Sequence, residues 1–317
     1  MRALSLFSGG LDSLLATRLI QEQGIEVIGV FFRTPFLAVG TENKVKKMAK
    51  MVGIPLFVVF LGREYIELIK NPPHGYGENM NPCLDCHAMM AKKAKMLMEK
   101  LGAKFLITGE VVGERGSQTR PYMRYIEKYA GLKDLILRPL SAKILPETIP
   151  EKEKWVNREK LLGISGRSRK PQFELAQKYG FKDFPTPSGG CLITDPTFCQ
   201  RLKDAFEHGE DSLERIELLK YGRHFRLKSG AKVVVARNDF ESRKIKRLAI
   251  YGDYLIQCHK EKAPLTLLIG DENDLEEAIK YCIKYSKMKK GTYTVRQKGK
   301  GILYRANFDT EVSESIK

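Results

Sequence analysis

The sequence predicts an α/β domain built on a parallel sheet, followed by a smaller, basic α+β domain. Three observations carry this. Up to Thr108 the chain alternates short apolar runs with stretches of helical spacing, the order of strand–helix–strand units with helices on both faces of a parallel sheet. A glycine pair stands directly after the first apolar run. The alternation then lapses over Arg138–Lys170, and Pro185-Thr-Pro-Ser-Gly-Gly190 is a dense turn signal. The expected domains are 1–175 and 176–317.

Each element follows from its pattern. Ala3–Phe7 is short and apolar, as a buried parallel strand should be. Leu11, Leu14, Leu15, Arg18 and Leu19 recur at helical spacing. Glu26–Phe32 (EVIGVFF) reads as the second strand, Glu42–Val52 as a helix and Pro55–Leu61 as the third strand. Cys86–Leu101, rich in Lys and Met, is a long helix, and Lys104–Thr108 (KFLIT) is the fourth strand. Ligands of such sheets bind at the carboxyl ends of the strands. Beyond the boundary the pattern mixes helices at Pro196–His208, Ser212–Lys220 and Asp274–Lys287 with strands at Lys232–Ala236 and Thr266–Ile269.

With 317 residues, 43% of them apolar, the chain can bury two cores without covalent staples. No apolar run reaches the roughly 18 residues of a membrane helix. Met1–Phe7 enters a strand with no cleavage site, so a cytoplasmic, membrane-free protein is expected. Lys and Arg number 55 against 38 Asp and Glu, a net charge of +17 that points to a polyanionic partner. A charge-rich surface serving thermal stability would instead balance its signs. In a reducing compartment the six cysteines are not expected to form disulfides.

Ser8-Gly9-Gly10-Leu11-Asp12-Ser13 ends the first strand and opens a helix. The glycines permit a tight turn that bares its amides. Ser8 and Ser13 add hydroxyls, and the helix start adds unpaired N–H groups at the positive end of its dipole. This is an anion site suited to phosphate. Asp12 suits phosphate only with a cation between them, most naturally Mg²⁺. An ordinary helix-start turn would explain the glycines alone, but not the full run after the first strand. There is no G-K-[ST], which disfavours γ-phosphoryl transfer.

The run resembles the signature of the PP-loop ATP pyrophosphatases, whose domain is adenine nucleotide alpha-hydrolase-like. The resemblance implies ATP binding, cleavage between the α and β phosphates, and adenylation of a carbonyl oxygen. It implies that Ser8, Gly9, Gly10, Asp12 and Ser13 hold the pyrophosphate and its metal, and that Phe31 and Phe32 at the second strand's end lie against adenine. A second run, Thr108-Gly109-Glu110 followed by Gly113–Thr119, starts where the fourth strand ends. Glycine there lets backbone approach a nucleotide. The run resembles that of PP-loop enzymes that modify tRNA, which implies a metal or ribose role for Glu110 and substrate contacts for Ser117 and Gln118.

Asn81-Pro82-Cys83-Leu84-Asp85-Cys86-His87 opens a helix, whose N-terminus is expected to lower the thiol pKa values. Two thiolates three residues apart reach one metal. Cys191 follows a glycine-rich loop able to approach another group closely. Cys199, Cys258 and Cys282 lie among apolar residues and read as core, and His74 and His87 as packed or solvated. Three thiols at a nucleotide site suggest an iron–sulfur cube with one open iron, or a persulfide on one cysteine resolved by another.

Together SGGLDS, NPCLDCH, TGEVVGERGSQT, GRSRKPQ and PSGGCLITDP resemble the short, iron–sulfur-dependent tRNA 4-thiouridine synthetases, relatives of the ThiI sulfurtransferases and of the tRNA 2-thiouridylases. The resemblance implies an enzyme that adenylates a tRNA uridine carbonyl with Mg-ATP and replaces its oxygen by sulfur. Asp12, Cys83, Cys86 and Cys191 are its expected catalytic residues, the cysteines as ligands of a 4Fe–4S cluster. Expected partners are tRNA, a sulfur donor (free sulfide or a cysteine desulfurase) and a second copy in a homodimer. The alternatives are a 2-thiouridylase with a Cys86/Cys191 persulfide relay and a PP-loop amide-forming ligase.

Basic runs complete the picture. Arg167 and Arg169 lie in GRSRKPQ, and Arg223 and Arg226 alternate with aromatics in YGRHFR; all four are expected tRNA contacts. Arg243–Arg247 and a tail bearing Lys287, Lys289, Lys290, Arg296, Lys298 and Lys300 follow. One such run is a solvated face; four suggest an RNA cradle in the second domain.

Overall fold

The computed structural model describes residues 1–184, 190–259, 263–286, 288 and 290–309. The Pro185–Gly189 part of the turn signal, Lys287 and Lys289 lie outside the described residues. The chain divides into two compact units, Met1–Asp195 and Pro196–Lys317.

The first unit contains β1 (Arg2–Leu6), α1 (Leu11–Gln21), β2 (Glu26–Arg33), α2 (Thr41–Val52), β3 (Leu56–Phe60), α3 (Arg63–Lys70), α4 (Cys83–Leu101), β4 (Phe105–Thr108), α5 (Arg120–Ala130), β5 (Ile136–Leu137), α6 (Ile149–Lys152) and α7 (Lys170–Lys178). Its five strands pair in parallel in the order β3-β2-β1-β4-β5. The order reverses between β1 and β4, so the loops leaving these two strands flank the crevice where doubly wound sheets bind ligands. β1 and β4 are buried on both faces, which explains their unbroken apolar runs. One layer of core joins Phe7, Phe31, Val45, Met48 and Phe105; another joins Leu11, Leu15 and Leu19 of α1 to Ala176 of α7.

That second layer moves the division later than the expected boundary at 175. α7 packs on α1, and the segment after it rejoins the sheet edge. The Ala38 N–H donates to the Gly190 carbonyl at 2.8 Å and the Leu192 N–H to the Phe36 carbonyl at 2.8 Å, so Cys191 pairs with Leu37. Cys191 therefore belongs to the first unit and is not contributed by the second.

The second unit contains α8 (Pro196–Glu207), α9 (Leu213–Leu218), β6 (Arg223–Arg226), β7 (Lys232–Val235), α10 (Asp239–Leu248), β8 (Tyr254–Cys258), β9 (Leu265–Ile269), α11 (Leu275–Ser286), β10 (Lys290–Gln297) and β11 (Gly301–Asp309). Its strands form one antiparallel sheet in the order β11-β10-β8-β9-β7-β6. Core residues from α11 (Ala278, Cys282) meet Val233, Val235 and Ile256, while Ile245 of α10 meets Val234 and Leu267, which alternate with them. Among the described residues no helix is long and apolar enough to cross a membrane.

Candidate active site

The first feature of the site is the turn from β1 into α1. Gly9 holds a left-handed φ of 74°, and a Cβ there would lie 3.0 Å from the Val45 Cα. The conformation and the approach of α2 both require glycine. The Ser13 hydroxyl donates to the Gly10 carbonyl at 2.8 Å, and Ser8 Oγ lies 3.3 Å from both Ser13 Oγ and the Gly10 N–H that donates to it. The hydroxyls thus brace a turn whose helix start has no side-chain cap. Uncapped N–H groups at a helix N-terminus are what an anion needs.

Gly109 is required by packing within the unit itself. A Cβ there would fall 2.5 Å from Ser13 N and 2.6 Å from the Asp12 carbonyl carbon. What approaches Gly109 is the backbone of the glycine turn between β1 and α1. Gly109→Ala is expected to cost about 1–3 kcal/mol through overpacking. It should also displace Asp12 and Ser13, so ATP affinity should fall more steeply than the melting temperature; parallel calorimetric and thermal-melt measurements check this.

Arg169, expected on tRNA, turns into the loop. Its Nη2 lies 3.3 and 3.4 Å from the two Asp12 carboxylate oxygens, and its Nε lies 3.6 Å from Glu114 Oε1. Arg167 is exposed. Glu114 also accepts from Gln172 Nε2 at 3.1 Å. Burial, with the Asp12 charge beside it, pushes the Glu114 carboxyl up. An arginine and two carboxylates therefore converge at the mouth of the glycine turn, and sequence reasoning missed the link because 157 residues separate Arg169 from Asp12.

Glu110 is held inward. Its Oε2 accepts from Arg138 Nε at 2.9 Å and from the Thr108 hydroxyl at 3.0 Å, and His87 Nδ1 lies 3.8 Å from its other oxygen. Arg138, only 4% exposed, also reaches Glu127 at 2.5 Å. Burial opposes the Glu110 charge, but the Arg138 guanidinium and His87 hold the carboxyl down at about 2. Glu110 thereby braces the start of α4 against the β4 end. Phe31 and Phe32 are 6% and 5% exposed and fill the core, so any adenine contact at this strand end falls to backbone.

α4 runs back antiparallel to the strands, which places its N-terminus, and with it Cys83 and Cys86, on the strands' carboxyl edge. Cys86 is buried, with the Tyr65 hydroxyl 2.9 Å from its sulfur. Ser117 and Asn81 stand beside Cys83 and favour its thiolate, which brings the loop after β4 to the CxxC. Gln118 Oε1 is buried beside it with no hydrogen-bond partner. Cys191 arrives from the Leu37 pairing, and Cys83 and Cys191 both act electrostatically on Cys86 and Tyr65. The three thiols are thus near enough for their charges to interact. Burial pushes Cys83 up and Cys86 up to about 12, overriding the expected lowering by the helix start. Among the described residues no three His, Cys, Asp or Glu side chains already stand as a metal-ligating set. Cys199, Cys258 and Cys282 are buried, the last two with sulfurs 3.2 Å apart in the second unit's core.

In the second unit the YGRHFR run is mostly interior. Strand alternation puts Arg223 and Phe225 on one face, against Tyr285 at 4.9 Å and Tyr281 at 4.5 Å. His224 and Arg226 take the other. Burial holds His224 neutral, with its pKa lowered to about 3. Arg226, expected on tRNA, is engaged within the unit: it pairs with Asp204 and Glu210, each at 2.6 Å, and the 2%-exposed Lys232 joins both acids. Of the two arginines only Arg223 is exposed.

The family model described as thiamine biosynthesis protein (ThiI) matches residues 1–165. That described as the NFACT protein RNA binding domain matches residues 222–301. A probable tRNA sulfurtransferase from Thermococcus kodakarensis is 28% identical over 180 residues, 55% of this chain and 44% of that protein. One from Methanothermobacter thermautotrophicus is 32% identical over 143 residues, 44% and 36% of the two chains. A tRNA-specific 2-thiouridylase from Caldanaerobacter subterraneus is 34% identical over 140 residues, 38% and 37% of the two chains. The chain thus spans less than half the length of these relatives. A solved 4-thiouridine synthetase–RNA complex with bound ATP aligns over 68% of this chain and 52% of that one, at 20% identity and a TM-score of 0.42. The matched region, 165 of 317 residues, contains the glycine turn, the CxxC and the whole parallel sheet, and the chain belongs to the ThiI family.

Proposed function

We propose that this protein is an ATP-dependent tRNA sulfurtransferase that converts a uridine to 4-thiouridine. The observation that carries the proposal is the presence, on one edge of one sheet, of the uncapped glycine turn, the CxxC at the start of α4 and Cys191 held beside the β2 end by its pairing with Leu37. The RNA-binding match over residues 222–301 and the net charge of +17 support a tRNA substrate.

The uridine carbonyl oxygen attacks the α-phosphorus of ATP, and pyrophosphate leaves. The turn amides, the Ser8 and Ser13 hydroxyls and Arg169 stabilise the charge that develops on the phosphates. A sulfur nucleophile at the cysteines then attacks the activated ring carbon, and AMP leaves with the former carbonyl oxygen. With hydrosulfide as donor no electrons change hands and one proton is released. The target base has to leave its stack to reach such an edge.

Two inorganic groups fit the residues present. One or two carboxylates beside a phosphate site suit Mg²⁺, and Asp12, with Glu114 close by, would hold it. Cys83, Cys86 and Cys191 supply an all-thiol donor set for a 4Fe–4S cluster, the thiols having first to leave Tyr65 and Ser117. Such a cluster would supply an iron without a protein ligand for activating sulfide.

In the test, protein, tRNA, ATP and sulfide are combined, and AMP, pyrophosphate and digested nucleosides are quantified. AMP, pyrophosphate and 4-thiouridine are expected in equal amounts. ADP and phosphate as products would overturn the reading. A 2-thiouridine product would instead favour the second reading, to which the 2-thiouridylase relative and the closeness of Cys86 to Cys191 lend support.

A further inference from the structure

The most exposed large aromatic of the second unit is Tyr251, at 77%. It stands in the turn between α10 and β8, and its ring rests on the backbone of another turn, the one joining β10 to β11. Gly299 makes this contact. A Cβ there would lie 2.4 Å from two ring carbons, and its φ of 98° is itself a glycine conformation. The two turns are tied together by the Gly252 N–H to the Lys298 carbonyl at 3.0 Å, the Lys298 N–H to the Asp253 carbonyl at 2.8 Å, and Gln297 Nε2 to the Gly252 carbonyl at 3.1 Å.

Beneath them lies a buried anchor. Asp253 accepts two bonds from Arg215, at 2.7 and 2.8 Å, and a third from the Ile250 N–H at 2.8 Å. The ring is thus fixed on one side by backbone and left open to solvent on the other. Around it in sequence are Lys246, Arg247, Lys298 and Lys300, all exposed and none paired with a carboxylate among the described residues.

We infer that Tyr251 is a stacking platform for an unpaired RNA base, with Lys298 and Lys300 holding the adjoining phosphates. A rigid aromatic face among unpaired cations matches a flexible polyanion that carries flat apolar bases. A duplex keeps its bases stacked on each other and offers the ring nothing. The inference rests on the reading that residues 222–301 bind RNA, and it adds which strand state they select and through which residue.

The test is fluorescence anisotropy of the full chain with a labelled oligouridine and a blunt RNA duplex of equal length, at two salt concentrations. Base–aromatic stacking implies that Tyr251→Ala weakens oligouridine binding about 5- to 100-fold. Its salt dependence should stay unchanged and duplex affinity should stay within about twofold. Tyr251→Phe should bind as wild type, and Lys298→Gln should flatten the salt dependence for oligouridine. A thermal melt of each variant reports folding, which an exposed ring should barely affect. Wild-type affinity for oligouridine in folded Tyr251→Ala would overturn the inference while leaving the RNA-binding reading intact. Failure of the wild type to bind either RNA would overturn both.

Discussion

Cys191→Ala is expected to reduce tRNA thiolation on the order of 10⁴-fold, the scale on which groups acting as a unit fail together. Cys83→Ala and Cys86→Ala should do the same. The three thiols reach one edge from two distant parts of the chain; all three are needed where a cluster holds the sulfur, whereas a Cys86/Cys191 persulfide relay would spare Cys83→Ala. Cys191→Ala should leave ATP affinity within a few-fold, because Gly190 and Leu192 keep their backbone bonds to Ala38 and Phe36. Cys199→Ala, Cys258→Ala and Cys282→Ala should retain activity and lose only stability, roughly 1–3 kcal/mol, since these thiols are core. Thiolated nucleoside counted after digestion, beside a melt of each variant, checks both arms. A fully active Cys191→Ala would remove the thiols from the chemistry.

Asp12→Asn is the second large effect. Substitution removes the charge that faces Arg169 and the carboxylate best placed for Mg²⁺. Pyrophosphate release should fall about 10²- to 10³-fold, the cost of losing one well-aimed electrostatic group. RNA affinity should not change, because the RNA-binding match lies in the other unit. Arg169→Gln should give a smaller loss in the same assay. Equal pyrophosphate release by Asp12→Asn and wild type would mean that the glycine turn does not host the reacting phosphates.

Much of the first unit was legible because its signals are local. Gly9 and Gly10 directly after an apolar strand and before a leucine-spaced helix specify a tight strand-to-helix turn, and only the full Ser8–Ser13 run points to phosphate. The elements missed there were short or polar: β5 has two residues, and α5 (RPYMRYIEKYA) is strongly basic along its exposed face. Arg169 could not be placed on the glycine turn, since its position there depends on α7 docking to α1. The second unit's sheet was hardest to read. β11 is exposed along most of its length, so the apolar alternation that reveals a strand is missing. Arg226 read as an RNA contact because Asp204 and Glu210, its partners, sit on another element and in a turn. Tyr251 carried no signal in sequence; its exposure and its seat on Gly299 are properties of the fold.

Adenylation of the uridine carbonyl oxygen by ATP would leave its mark on the products, and isotope transfer reads it. tRNA carrying ¹⁸O at the target uridine carbonyl is incubated with the protein, ATP and sulfide under single-turnover conditions, and the AMP produced is examined by mass spectrometry. Each AMP is expected to gain the heavy oxygen in step with each 4-thiouridine formed. AMP free of ¹⁸O, alongside thiolated tRNA, would contradict adenylation.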